Sequence, residues 1–258
     1  MRLDSLFKMD LFVYKLLLAP KTLSMRFKHR KALREARRNA ELRERPRTET
    51  VYICGNGPSL RKVDLNDIEC DYIVLNDFYR FEKKNPTNPP KYYFLMDDAF
   101  LLKGFEDRWN GIFNPGFETT YVVNGVMKER VEKERSDLDV YYFCPWGHLF
   151  EENDRNDYTR ITSRTWNVVS GAILFAIYLG YKDIRLLGCD YSVFASNAHF
   201  YAVKQAHPPL REMLYKYSYT THAHYEIAKY AERMGVKVTN MTKETLLDAY
   251  EIDESSPY

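Results

Sequence analysis

From residue 50 onward, short apolar runs alternate with longer segments in which apolar residues recur every three or four positions. A short apolar run bounded by turn residues is typical of a buried strand, and the three-to-four repeat is typical of an amphipathic helix. The chain therefore reads as strands alternating with helices. The pattern predicts strands at residues 51–54, 72–75, 92–96, 120–123, 140–143, 184–187 and 236–240.

Two helices are the clearest, at residues 168–179 and 222–234. Each is followed directly by a glycine, Gly180 or Gly235, which lets the backbone leave a helix in a left-handed conformation. Each glycine precedes another predicted strand. This alternation predicts an α/β fold: a Rossmann-like, mainly parallel sheet with flanking helices.

The first 49 residues have a different composition. Residues 5–19 are apolar, but Lys8, Asp10 and Lys15 interrupt them, and the run is shorter than the roughly 20 residues that a membrane-spanning helix needs. Pro20 is expected to break the pattern, and residues 21–47 read as a basic helix. Residues 1–50 carry fourteen Lys/Arg against six Asp/Glu, so the rest of a chain of net charge +2 must carry −6.

This charge distribution predicts an N-terminal basic helical arm at 1–49 and one globular domain at 50–258, which is long enough for a full core. A basic helix beside an apolar stretch is typical of a segment that lies on an anionic membrane. The alternative is an arm that packs against another subunit of a homo-oligomer, and both remain open. Nucleic acid is not favoured as a partner, because the globular part is acidic.

The cysteines indicate the compartment. The chain has four, widely spaced and without a CxxC pair, which argues against a zinc knuckle or a redox motif. Unpaired thiols suit a reducing compartment. With the basic arm, this predicts a cytoplasmic protein, peripheral on the inner face of the cytoplasmic membrane.

A turn rich in glycine, Gly55-Asn56-Gly57-Pro58-Ser59, follows the first predicted strand. Open parallel sheets bind ligands at the carboxyl ends of their strands, where glycines allow close approach and free backbone N–H groups can meet a phosphate. The turn matches neither GxGxxG nor GxxxxGK[ST]. It is either a nucleotide-phosphate turn or an ordinary tight turn.

Polar residues follow other strands as well. Asn76 follows the second strand, where it would either hydrogen-bond a base, ribose or sugar or form an Asx turn. Asp190 follows strand 184–187. Asp97 and Asp98 follow the third strand, and a carboxylate pair at a strand end can bind a divalent cation. No third acidic ligand is evident in the sequence, and oxygen-ligated cations usually need several.

Five segments together resemble a known family: GNGPSL at 55–60, NDFY at 76–79, RITS at 160–163, LGYKDIRLLGCDYS at 179–192 and YTTH at 219–222. In these segments the chain resembles the metal-independent bacterial sialyltransferases, which use a CMP-activated sugar, and related glycosyltransferases of surface-polysaccharide and flagellin glycosylation. The resemblance implies a GT-A-like variant of the fold with a lid at about 191–221.

The resemblance also implies an activity: inverting transfer of an acidic sugar, sialic-acid-like or Kdo-like, from a CMP donor to a hydroxyl of a cell-surface glycan or glycolipid, as in lipopolysaccharide or capsule synthesis. No metal cofactor is implied. The implied donor-binding residues are Gly55, Asn56, Gly57, Ser59, Asn76, Asp97, Ser170, Gly171 and Asp190.

His222 falls where the family's Tyr-x-x-His places a general base, and imidazole titrates near neutrality. Tyr219 would then hydrogen-bond the leaving phosphate. His199, in the lid sequence NAHFY, is a rival base, and His224 is a weaker one. The family's Arg-Ile-Thr runs directly into Ser-Gly, whereas here the two are separated, so whether Arg160 or Ser163 reaches the site is open.

Two other functions remain open at this point. One is an ATP- and magnesium-dependent pyrophosphoryl transfer to a pterin, in which Asp97, Asp98 and Asp190 would be metal ligands. The other is a non-catalytic nucleotide-binding scaffold that uses the basic arm for assembly.

Overall fold

A computed structural model describes residues 3–81, 87–192 and 209–258. In these ranges eight strands form one sheet, in the order β5-β4-β3-β2-β1-β6-β7-β8, and every neighbouring pair is parallel. The strands are β1 Thr50–Cys54, β2 Asp71–Leu75, β3 Tyr92–Leu95, β4 Thr120–Asn124, β5 Val140–Phe143, β6 Asp183–Leu187, β7 Lys237–Asn240 and β8 Glu251–Ile252.

Seven α-helices are described with this sheet. They are α1 Leu3–Lys28, α2 Arg30–Glu35, α3 Asn39–Glu44, α4 Glu106–Phe113, α5 Lys128–Glu134, α6 Val168–Leu179 and α7 Leu210–Arg233. Short 3-10 turns follow several strands. The predicted Rossmann-like α/β fold with flanking helices is confirmed.

The strand order places a topological switch point at the centre of the sheet. From β1 the chain adds strands outward to β5 and then returns to the other side of β1 to form β6. The connections after β1 and β6 therefore leave in opposite directions, which opens a crevice at their carboxyl ends. The glycine turn at 55–59 lies at this point.

The core lies on both faces of the sheet, because successive strand side chains point to opposite sides. Val51 and Ile53 of β1 join one buried cluster, and Cys54 joins the other. Helix α6, buried from Ser170 to Leu179, contacts the sheet on one side and α7 on the other. A helix that is apolar on all sides belongs in such an interior.

The bounds of α6 match the sequence prediction because both ends carry strong local signals. The Asn167 side chain accepts hydrogen bonds from the backbone N–H groups of Val169 (2.8 Å) and Ser170 (3.3 Å). Gly180 ends the helix at φ 99°. Helix α7, by contrast, begins at Leu210 rather than at residue 222. In its first turns exposed Leu210, Leu214 and Tyr215 accompany buried Met213 and Tyr219, so no single apolar face marks this part of the helix in the sequence.

The N-terminal helix also differs from the prediction, because α1 continues through Pro20 to Lys28. Proline in a helix interior costs about 3 kcal/mol. Leu11 and Leu18 are buried against the globular part, and this packing can offset that cost. No helix in the described ranges is both long and apolar enough to span a membrane.

Beyond residue 29 the basic segment packs on the edge of the sheet. Asn39 is fully buried, and its amide donates to the carbonyl oxygens of Tyr142 (2.8 Å) and Tyr158 (2.7 Å). Arg45 donates to Thr120 Oγ1 (2.7 Å) and Asp139 Oδ2 (2.9 Å). This half of the predicted arm is therefore integrated into the domain.

Candidate functional site

Two adjoining cavities lie along the carboxyl edge of the sheet. The inner cavity, about 210 Å³, lies at the switch point and is lined by residues that include Asn56, Asn167, Tyr191 and His224. The outer cavity, about 410 Å³, lies beside α1 and is lined by residues that include Lys21, Asp98, Asn124, Trp146, Arg164 and Trp166. Asn76, Asp97 and Val168 line both.

Three asparagines, Asn56, Asn76 and Asn167, line the inner cavity. Asn56 follows β1, and its Nδ2 donates to the Leu75 carbonyl at 3.1 Å. Its Oδ1 is buried and accepts no hydrogen bond from any described residue. Asn76 holds a left-handed backbone at φ 41°, where its carbonyl accepts from the Tyr93 hydroxyl at 2.6 Å. A buried acceptor without a partner is costly, so Asn56 marks a place for a ligand donor.

His224 supplies a second such atom. It is fully buried, with Nδ1 at 2.9 Å from the Tyr250 hydroxyl and its ring edge-on to Tyr191. Its Nε2 has no hydrogen-bond partner within the described part of the chain. Burial lowers the pKa of His224 to about 3, so the ring is neutral at physiological pH. The inner cavity therefore offers two unpaired polar atoms to a neutral or polar ligand group.

This pKa predicts an acid-sensitive fold. Histidine in the unfolded chain takes up a proton near pH 6.5, whereas folded His224 does so only near pH 3. The contribution of neutral His224 to the free energy of unfolding is therefore intact above pH 6.5 and is lost as the pH falls towards 3. Between pH 6.5 and 5 the loss is about 2 kcal/mol. We expect His224→Gln to flatten the pH dependence of urea unfolding between pH 7 and 5.

His148 is the control of opposite sign. Its Nε2 lies 2.8 Å from Asp154 Oδ1, and this hydrogen bond raises the pKa of His148. The stabilisation of the folded state by this hydrogen bond is fully present below pH 6.5 and is lost as the pH rises through the pKa of folded His148. His148→Gln should therefore steepen the acid loss. An unchanged slope in His224→Gln would contradict the burial of an uncharged ring.

Asp97 lies at the junction of the two cavities. Its Oδ1 accepts the backbone N–H of Ala99 at 3.0 Å and so caps the turn after β3. Burial raises the pKa of Asp97, while the Ala99 N–H and the Arg108 charge act in the opposite direction. Arg108 also lines the inner cavity, and its Nε donates to Asp77 Oδ1 at 2.8 Å. A carboxylate with a raised pKa in a cleft is a candidate for proton transfer.

Arg164 is a charged cavity residue that the sequence analysis did not single out. It lines the outer cavity. Burial lowers the pKa of its guanidinium, and the nearby Tyr14 and Asp98 partly oppose this. The two residues considered instead lie elsewhere: Arg160 is exposed and paired with Asp157 at 3.5 Å, and the Ser163 hydroxyl donates to Asp154 at 2.7 Å. No signal in the sequence separates Arg164 from Arg160, four residues earlier.

The glycine turn after β1 packs closely against the turn after β6. The N–H groups of Gly55 and Gly57 donate to the carbonyl oxygens of Leu187 (2.7 Å) and Gly188 (2.8 Å), at the end of β6. A Cβ on Gly57 would lie 1.9 Å from Asp190 Oδ2. These glycines are therefore required where the β1 and β6 turns meet, although Gly57 also lines the inner cavity.

Ser59 and Asp190 bind each other across the same junction. The Ser59 hydroxyl donates to Asp190 Oδ2 at 2.8 Å, and its backbone N–H donates to Oδ1 at 3.1 Å. Both were expected to bind the nucleotide. Their polar atoms instead join the two turns, so this geometry gives that expectation no support.

Ser170 and Gly171 are buried in the first turn of α6, behind the cavity wall. The Ser170 hydroxyl donates to the Asn167 carbonyl at 2.8 Å, and the Gly171 carbonyl accepts from the Tyr158 hydroxyl at 2.7 Å. The wall itself is formed by Asn167 and Val168. An asparagine directly before an apolar helix is an N-cap signal that could have identified Asn167.

Two of the expected catalytic residues, Tyr219 and His222, line neither cavity. Tyr219 is buried against α1, stacked on Tyr14 at 5.2 Å, with its hydroxyl 2.9 Å from that of Tyr215, and burial raises its pKa. His222 lies two residues from His224, on the opposite face of α7; burial lowers its pKa, and Glu226 and Glu151 partly oppose this. His199 and most of the expected lid lie outside the described residues. The roles of all three stay predictions.

Metal ligands were considered at Asp97 and Asp98. Within the described ranges, no group of three or more His, Cys, Asp or Glu side chains is arranged to hold a metal ion.

The parallel sheet and its central switch point define an α/β protein of the Rossmann-like class, with polar cavities at the carboxyl edge of the sheet. No family model matches the chain. No curated protein matches it by sequence either.

Solved structures do match. The sialyltransferase CstII from Campylobacter jejuni, in complex with cytidine-5'-monophosphate, is 20% identical over 80% of this chain and 85% of its own, with a TM-score of 0.48. CstII with a trisaccharide acceptor and CMP is 21% identical over 80% and 86%, with a TM-score of 0.46. The α-2,3-sialyltransferase Cst-I of the same organism is 18% identical over 79% of each chain, with a TM-score of 0.48. These are sialyltransferases, the family that the sequence motifs resembled.

Proposed function

We propose that this protein is a glycosyltransferase that moves an acidic sugar, sialic-acid-like or Kdo-like, from a CMP donor to a hydroxyl of a cell-surface glycan or glycolipid. The observation that carries the proposal is the pair of cavities that meet at Asp97, the inner one with unpaired atoms on Asn56 and His224. Such an arrangement can hold a nucleotide and an acceptor side by side.

The inner cavity is the proposed nucleotide site. Asn56 Oδ1 is an acceptor without a donor, and cytidine supplies donors in its exocyclic amino group and ribose hydroxyls. Uracil carries a carbonyl where cytosine carries that amino group. The proposed preference for cytidine follows from this difference.

The outer cavity is the proposed site of the sugar and its acceptor. The guanidinium of Arg164 is half-buried there, and a planar guanidinium pairs well with the carboxylate of an acidic sugar. Trp146 and Trp166 supply flat apolar surfaces against which a sugar ring can pack.

The proposed reaction is a single displacement. The acceptor oxygen attacks the anomeric carbon, the bond to the phosphate oxygen of CMP breaks with its electron pair, and the configuration inverts. The acceptor proton must pass to a base. The family resemblance placed this role at His222, with His199 as a rival. We propose Asp97 instead, because it lies where the cavities meet and burial raises its pKa.

No metal is required in this proposal. Arg108, which lines the inner cavity, can share its charge between Asp77 and the leaving phosphate. The pterin alternative would instead need ATP with Mg²⁺ at Asp97 and Asp98, so chelation separates the two reactions.

A panel of nucleotides tests the nucleotide site. A ligand at ~100 times its dissociation constant stabilises a protein by roughly 2.7 kcal/mol. We expect CMP or CDP to raise the melting temperature more than UDP, GDP or ATP, with and without EDTA. Asn56→Ala should remove this preference, whereas Asn114→Ala, at an exposed position, should keep it.

The other outcomes separate the alternatives. Equal shifts for all five nucleotides would contradict cytidine recognition. A shift with ATP that depends on Mg²⁺ would favour pyrophosphoryl transfer. A shift with CMP without turnover of any CMP-sugar would favour the non-catalytic scaffold.

We further propose that residues 1–48 contact an anionic membrane surface on the cytoplasmic side. Lys21 and Met25 of α1 line the outer cavity, so such a contact would bring that cavity near a lipid-linked acceptor. Contact of the same arm with a second copy of the chain remains the alternative.

A further inference from the structure

A groove lined by five arginines runs beside α1 and α2, away from the two cavities described above. It has a volume of about 1000 Å³ and lies between these helices and the loop at 159–161. Its arginines are Arg26, Arg30, Arg34, Arg37 and Arg160. The four helical ones recur every three or four residues from α1 through α2 into the 3-10 turn Ala36–Arg38, and all four face the same groove.

These charges are largely uncompensated. Within residues 3–81, 87–192 and 209–258, no carboxylate lies within 4.0 Å of the guanidinium of any of the four helical arginines. Arg160 is 3.5 Å from Asp157, which also pairs with Arg155. Like charges at this spacing repel one another. Guanidinium groups bind phosphate through paired hydrogen bonds, so the groove suits a phosphorylated ligand.

An apolar groove continues from the arginines. A second cavity of about 360 Å³ shares Arg26 and Ile161 with the first and is lined on α1 by Leu18, Ala19 and Leu23. The two grooves together present an anion-binding end and an apolar end, as a phospholipid requires.

The outer face of α1 is apolar as well. Exposed side chains recur every three or four residues along it, opposite the buried Leu11 and Leu18. They include Phe12 (63% exposed), Leu16 (60%), Leu17 (71%) and Phe27 (71%). An exposed apolar helix face flanked by basic side chains is typical of a helix lying in a membrane interface.

We infer that the arginine groove binds the phosphate head group of an anionic lipid, with hydrocarbon lying along Leu18, Ala19 and Leu23. The ligand class is a lipid with a terminal phosphate, whose oxygens can meet several guanidinium groups at once. This inference deepens the membrane contact proposed above and rests on it. It uses no residue of the inner cavity.

Vesicle binding by the full chain tests the inference. The probes are phosphatidylcholine vesicles that contain either phosphatidic acid or phosphatidylserine, matched in surface potential. We expect phosphatidic acid to be preferred about tenfold, and the double variant Arg30→Gln/Arg34→Gln to lose the preference. Lys28→Gln/Lys31→Gln removes the same charge at exposed positions outside the groove, and should weaken binding to both vesicles equally while keeping the preference.

Several outcomes would overturn the inference. Equal binding to the two lipids would show that the arm binds membranes through non-specific electrostatic attraction alone. Inorganic pyrophosphate that stabilises the wild type but not the arginine variant, without vesicle preference, would assign the groove to a soluble phosphate. A change in oligomeric mass in the arginine variant, with vesicle binding intact, would assign it to a partner subunit.

The nucleotide shift is measured on the same variants. If the preference for phosphatidic acid survives while CMP fails to stabilise the chain, the transferase proposal fails and the lipid inference stands. Both double variants change exposed side chains, so an unchanged melting temperature verifies that they fold.

Discussion

Asp97→Asn is expected to lower kcat for sugar transfer about 10²–10⁴-fold, the usual cost of removing a general base. The amide cannot take the proton of the acceptor hydroxyl, yet asparagine caps the Ala99 N–H as well as aspartate does, so the turn after β3 should survive. Steady-state release of CMP from a CMP-sugar, with and without acceptor, measures the effect. The affinity for CMP should change little.

His222→Ala is the decisive comparison, because the sequence placed the base there. We expect less than a tenfold loss of kcat, since His222 lies on the face of α7 opposite His224. Asp107→Asn, at an exposed position on α4, controls for loss of a negative charge. A large loss at His222 with Asp97→Asn near wild type would return the base to the histidine, and a large loss at His199 would move it to the expected lid.

Gly57→Ala is expected to reduce the free energy of unfolding by about 3 kcal/mol or more, the upper range for overpacking. The added methyl group would lie 1.9 Å from Asp190 Oδ2 and 2.6 Å from the Gly188 carbonyl oxygen, and the second of these atoms is backbone. The turns after β1 and β6 would have to separate. Urea unfolding followed by circular dichroism measures the loss.

A double variant separates the two contacts. Asp190→Ala removes the nearer one, so Gly57→Ala/Asp190→Ala should lose less stability than the sum of the single variants. If Gly57→Ala keeps full stability and loses only CMP binding, the glycine is required for approach of the ligand, as predicted from the sequence.

The fold was predictable because a parallel sheet buries both faces of its strands, which leaves continuous apolar runs. The bounds of β5 agree with the prediction, and those of the other six predicted strands differ by one residue at one end. Strand β8, Glu251–Ile252, was missed because two residues are too few to show an apolar repeat. It is defined by its pairing with β7, in which Thr239 lies opposite Glu251. The continuation of α1 through Pro20 was not predictable for a related reason: tertiary contacts on both sides of the proline hold the helix, with Leu11 and Leu18 buried before it. After it, Thr22 donates to the Trp146 carbonyl and Met25 packs against the Trp146 cluster.

The sequence predicted which strand-end residues share one edge of the sheet, and it did not predict the orientation of their side chains. Asn56, Asn76 and Asp97 follow strands, so the topology alone brings them to one edge. His224 and His222 differ by two positions on a helix, which points them in opposite directions, and only packing decides which one faces the sheet. Ser59 and Asp190 were predicted to bind the donor, and the sequence does not reveal that their side chains face each other.

Helix α1 presents Lys21 and Met25 to the outer cavity while its opposite face, with Phe12 and Leu16, is apolar and exposed. A helix is about 10–12 Å across. Any surface on which α1 rests is therefore within one helix diameter of the proposed acceptor site. The enzyme would then respond to the mole fraction of acceptor in the bilayer rather than to its bulk concentration, and inert lipid would slow it by surface dilution.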